Sequence, residues 1–177
     1  MAVWIFTLLC IVAPPDKLAE LPSFPGWAET AAERTARYRS IADDIAAVTT
    51  DPREMAALVS IGTHESQWAP DTGKGPCWRG PKNDSPRCDF GAAAGYWQIR
   101  ANGPDDLREL FASPRKAAKR ALAMVRKSAA ACVPKYGAER ALAAYSSGRC
   151  DRGIKESADM VRLARKLLRE HPPPKAQ

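Results

Sequence analysis

Apolar residues recur at three- and four-residue steps along almost the whole chain, and no alternating run extends beyond a few positions. That pattern leaves an all-α fold. Tyr38, Ile41, Ile45 and Val48 share one helical face. Asp51-Pro52 reads as an N-cap followed by proline in the first turn, opening a helix through Met55, Leu58, Val59 and Gly62. Ser113-Pro114 repeats the signal before a long helix reaching about Cys132. A helix around 138–145 follows, and another from about Ile154 to Glu170 is stopped by Pro172-Pro173-Pro174.

Residues 68–90 break the pattern. They are dense in Pro, Gly, Asp and Asn, which makes them loop or at most a small irregular hairpin, and loops of that length usually serve a function. A chain of 177 residues supports one domain with a real core. Residues 1–26 read as an apolar N-terminal segment and proline-spaced linker, 27–171 as the domain, and 172–177 as a proline-rich tail.

The five cysteines form no close C-x-x-C pair, so no metal site is expected. Four lie inside the domain and suit two disulfides in an oxidising compartment. Cys77–Cys88 would staple the long loop, worth about 3 kcal/mol in the chain-entropy view. Cys132, on the apolar arc of its helix, would then pair with Cys150, leaving Cys10 free or removed. Reduced, buried thiols are the alternative.

Residues 2–13 are almost wholly apolar and too short to span a bilayer. They resemble a signal-peptide core, although no Lys or Arg precedes them, and point to an extracytoplasmic location. A segment packed on the domain is the competing reading.

The net charge of +7 favours an acidic partner. Arg115, Lys116, Lys119, Arg120, Arg126 and Lys127 occupy one broad helical arc, opposite Ala118, Ala121, Leu122, Val125, Ala129 and Cys132. This arc is either a solvated face or a surface for anionic cell-wall polymers or the outer membrane. Nucleic acid would need interleaved aromatics, and none occurs there before Tyr136.

Glu65 lies on the stripe formed by Met55, Leu58, Val59 and Gly62. A carboxyl facing a core holds its proton more tightly, as a general acid must. If Gly62 ends the helix, Glu65 is simply in solvent. Residue geometry alone leaves both readings open.

Three short segments resemble the soluble-lytic-transglycosylase and goose-type-lysozyme families. Ile61-Gly62-Thr63-His64-Glu65-Ser66 is similar to the helix end that carries their catalytic Glu-Ser pair. Ala92-Ala93-Ala94-Gly95-Tyr96-Trp97-Gln98-Ile99 resembles their Gly-Leu-Met-Gln segment, and Ala141-Leu142-Ala143-Ala144-Tyr145-Ser146-Ser147-Gly148 their Ala-Tyr-Asn-Ala-Gly segment. Each is weak alone; the three in order, across residues 52–150, are specific. Tyr96-Trp97 replaces Leu-Met, and Ser146-Ser147 replaces Asn-Ala.

The resemblance implies a lysozyme-like single catalytic domain that cleaves peptidoglycan glycan strands as a monomer without cofactor or metal. Glu65 would be the acid, Ser66 its neighbour in the site, Gln98 a sugar-site residue and Tyr145 a companion of the carboxyl, with Ser146 where the family's Asn holds substrate. Trp68, Tyr96 and Trp97 are candidates for stacking on sugars or for the core. A transglycosylase needs no second carboxylate; a goose-type hydrolase would use Asp89 to position water, with Asp84 and Asp71 as looser candidates. His64 and His171, the only histidines, match no nucleophile or ligand set. The remaining alternative is a non-catalytic basic module that binds cell wall or nucleic acid.

Overall fold

The computed structural model describes residues 1–17, 29–70, 72 and 93–175. The fold is mostly helical, as the periodicity requires. In chain order it comprises α1 (Ala2–Val12), α2 (Ala31–Val48), α3 (Pro52–Glu65), the two-residue strands β1 (Ala93–Ala94) and β2 (Ile99–Arg100), α4 (Pro104–Ala112), α5 (Pro114–Tyr136), a 3-10 turn (Ala138–Arg140), α6 (Ala143–Ser147) and α7 (Ile154–Glu170). The strands pair antiparallel as a minimal hairpin, Ala93 opposite Arg100 and Ala94 opposite Ile99.

Local chemistry sets the helix ends. The Asp51 side chain accepts from the Arg53 N–H at 2.8 Å, with Pro52 in the first turn, and Ser113 accepts from the Lys116 N–H at 3.3 Å. Thr30 and Glu33 form a reciprocal capping box at the start of α2. Gly103-Pro104 opens α4, a helix the periodicity did not single out. Helix α5 runs past Pro134 to Tyr136 because proline so near a C-terminus removes only one backbone bond. The expected helix at 138–145 is split into the 3-10 turn and α6.

Helix α3 is the centre of the fold. It packs on α7, α1, α5 and α2, and Met55, Leu58, Val59 and Ile61 are fully buried. Helix α1 packs on α2 and α3, burying Trp4, Ile5, Leu8 and Leu9, and the Trp4 indole donates to the His171 carbonyl at 2.8 Å. The apolar N-terminal run therefore belongs to the same core as the rest of the domain. Truncating Leu8 to alanine should cost about 2–5 kcal/mol.

Cys132 and Cys150 form the expected disulfide, and Cys10 is free. The bridge ties α5 to the chain just beyond α6. Cys77 and Cys88 lie outside the described residues, as do Asp71, Asp84 and Asp89.

Candidate active site

Glu65 is the last residue of α3 and is half-buried. Of the two readings open from sequence, the helix continues past Gly62. Burial raises the Glu65 pKa above its ordinary value, and the exposed His64 only partly opposes it. The C-terminal end of a helix also disfavours a carboxylate. Among the described residues no donor reaches the Glu65 carboxyl.

The backbone turns sharply after Glu65. Gln67 and Trp68 both adopt left-handed conformations, with φ of 51° and 57°. The turn swings the Trp68 indole back over Gly62, where a Cβ would lie 2.2 Å from the ring. Trp68 Nε1 donates to Thr63 Oγ1 at 2.9 Å, fixing the ring. Ser66 is used locally: its hydroxyl donates to the Gly62 carbonyl at 2.9 Å and accepts from the Trp68 N–H at 3.1 Å. It shapes the helix end.

The hairpin comes to the same corner. Trp97 Nε1 donates to the Leu58 carbonyl at 3.0 Å, fastening the turn to α3. Tyr145 on α6 donates its hydroxyl proton to the Trp97 carbonyl at 2.5 Å. Burial pushes the Tyr145 phenol well above its usual range, and the Glu65 charge raises it further. Gln98 follows Trp97 with φ of 46°, and its amide nitrogen donates to the Gly95 carbonyl at 2.9 Å. Its amide oxygen has no partner among the described residues.

Gln67, Trp68 and Gln98 are the only non-glycine residues with positive φ among those described. All three flank Glu65 or lie in this turn. Such residues cost on the order of 1 kcal/mol or more each, and they concentrate where geometry serves function. The strain thus gathers at the end of α3 that carries Glu65 and in the Trp97–Gln98 turn to which Tyr145 is bonded.

The aromatic candidates fall elsewhere. Trp68, Tyr96 and Trp97 are 0%, 3% and 1% exposed and pack together, with ring centroids 5.5 to 6.2 Å apart. They are core, so Tyr96 and Trp97 offer no face for a sugar to stack on. Ser146 is exposed, and its hydroxyl donates back to the Ala143 carbonyl at 3.3 Å. Gly148, at φ 74°, provides the left-handed turn that closes α6.

Two positioning residues escaped the sequence reading. Ser128, buried on α5, accepts the Tyr145 N–H at 3.2 Å. Arg37, buried on α2, donates to the Tyr96 hydroxyl at 3.3 Å and to Glu29 at 2.6 and 2.8 Å. Each is polar on an otherwise apolar stripe, which is the signal that could have found it.

The basic arc of α5 is largely spent inside the molecule. Arg115 pairs with Asp44 at 3.2 Å, Arg120 with Asp106 at 2.7 Å, Arg126 with Glu54 at 2.7 Å, and Lys116 with Glu109. Only Lys119 and Lys127 of the arc have no acid partner among the described residues.

No family model matches this chain, and neither a curated protein nor a solved structure matches it. Among the described residues no helix is long and apolar enough to cross a membrane, and no group of His, Cys, Asp or Glu could hold a metal ion.

Proposed function

We propose that this chain cleaves the β-1,4 bond between N-acetylmuramic acid and N-acetylglucosamine in peptidoglycan, as a lytic transglycosylase with a lysozyme-like fold. One observation carries the reading. Glu65, a half-buried carboxyl with a raised pKa and no donor among the described residues, acts electrostatically on Tyr145, whose hydroxyl is bonded to the Trp97–Gln98 turn. A non-catalytic binding module has no use for an unpaired, desolvated carboxyl or for the strain around it.

The chemistry needs one carboxyl. Protonated Glu65 donates to the bridging oxygen, and the bond to the muramoyl C1 breaks through an oxocarbenium-like state. The muramoyl 6-hydroxyl attacks C1 and returns its proton to the Glu65 carboxylate, leaving a 1,6-anhydro end. Tyr145, held by Trp97 and Ser128, would form the wall behind the carboxyl. The Gln98 amide oxygen would accept from a sugar hydroxyl or acetamido N–H.

Mass spectrometry of muropeptides released from purified sacculi tests this. Transglycosylation predicts 1,6-anhydromuramoyl ends, their loss in Glu65→Gln, and only a modest rate change in Asp89→Asn. Reducing ends together with a crippled Asp89→Asn would establish the goose-type hydrolase instead.

A further inference from the structure

Beyond Lys119 and Lys127, the ion pairs of α5 leave one further exception. At the far end of that helix, Tyr136 is 38% exposed, one of few large apolar side chains so open. Two cations stand over its ring: Lys135 Nζ at 5.1 Å and the Arg140 guanidinium at 5.6 Å from the centroid. Neither has an acid partner among the described residues, although Glu139 is adjacent in sequence. Nearby Arg149, by contrast, is held by Asp151 through two contacts of 2.8 and 2.7 Å.

The pair is built into the fold. Arg140 Nη1 donates to the Cys150 carbonyl at 3.0 Å. Cys150 is bonded to Cys132, about one turn before Tyr136 on α5. Arg140 also leads directly into the segment that carries Tyr145. Two cations held over one ring and braced by a disulfide lose little freedom on binding an anion.

We propose that Lys135 and Arg140, arrayed on Tyr136, form a clamp for carboxylates of the peptide stems that branch from the glycan strand. This rests on the peptidoglycan reading above. A polyphosphate needs a continuous track of unpaired cations. This surface offers two cations on one ring, and four of the six cations of the α5 arc are already neutralised. Two cations on one ring fit a short acidic branch of a sugar chain.

The test is equilibrium binding of soluble glycan fragments to the full-length, oxidised chain carrying Glu65→Gln, which prevents turnover. Fragments with intact stems are compared with the same fragments after an amidase has removed the stems, which exchanges the several stem carboxylates for one lactyl carboxylate held close to the sugar ring. Stem-bearing fragments should bind roughly tenfold more tightly. Lys135→Glu should abolish that preference while leaving stem-free binding unchanged; Lys135 is exposed, so this variant should fold. Arg140→Gln should act in the same direction. Equal binding of both fragments, or a preference that survives Lys135→Glu, overturns the clamp. So does short duplex DNA binding more tightly than stem-bearing glycan through the same lysine. Stem preference without any sacculus cleavage by the unmodified chain would leave the clamp standing and remove the catalytic reading.

Discussion

Helix α3 carries a glutamate near each end, and the two live under opposite conditions. Glu54, in the first turn, accepts two hydrogen bonds from Arg126 at 2.7 and 2.9 Å and another from Thr49. Its pKa is lowered, chiefly by the Arg126 bond. The positive end of the helix dipole favours its charge as well. Glu65, in the last turn, has burial without a donor among the described residues, and its pKa is raised. One residue type on one helix is thus a satisfied structural anion at one end and a reluctant acid at the other. Partners and desolvation, more than residue identity, decide which glutamate is available for chemistry.

The largest expected effect breaks this symmetry directly. Glu65→Gln should lower turnover on sacculi by about 10²–10⁴-fold, the usual worth of a general acid. Glu54→Gln should leave turnover within about twofold of the parent. Turbidity assays on both variants, with folding checked by circular dichroism, decide the matter. Equal losses would erase the distinction between the two ends.

Next in size is a substitution felt mainly at the Glu65 end. Gly62→Ala places a Cβ 2.2 Å from the Trp68 ring. Overpacking of this kind costs roughly 1–3 kcal/mol. Amide exchange should quicken around 62–68 and remain slow at 52–57. Uniform loosening along α3 would show that its two ends are mechanically one unit.

A smaller effect concerns pH. Glu65 must be protonated to donate, so kcat/KM should fall as pH rises through its raised pKa. Stability has the same sign. The folded state binds this proton more tightly than the unfolded chain, so the contribution is present below the ordinary carboxyl value and lost as pH rises through the folded one. Glu65→Gln should therefore melt higher than the parent at neutral pH, by roughly 2 °C, and not at acid pH. A parent that melts higher at neutral pH would mean Glu65 has found a partner.

The smallest effect is the mirror image. With a lowered folded pKa, Glu54 contributes stability above the ordinary carboxyl value, and loses it as pH falls through the folded value. Arg126→Gln should weaken that dependence slightly in urea titrations run from neutral to acid pH. An unchanged profile would mean that Thr49 and the helix end suffice.

Much of the local architecture was legible from short-range rules. Asp51-Pro52 and Ser113-Pro114 open helices because a side-chain cap and a fixed proline φ act within one turn. Glu65 could be placed on an apolar stripe because helical period is a local property. Whether the helix survives past Gly62 could not be settled that way: glycine permits both outcomes, and Trp68 packing into the space it leaves is a tertiary event. Sequence left Tyr96 and Trp97 open between sugar contact and core, because aromatic residues serve both equally well, and the structure buries them. Only the contacts with Leu58 and Arg37 separate the two uses.

Sequence by itself determined the helical class, the principal helix starts and the position of Glu65 on its stripe. Each follows from periodicity or from a neighbour within a turn. The tertiary structure alone decided that α1 joins the core, that acids from α2, α3 and α4 neutralise the α5 arc, and that Tyr145 is bonded to the Trp97–Gln98 turn. These depend on residues brought together from distant parts of the chain, and whether a charge is paired or buried is set by such contacts, which no local pattern contains.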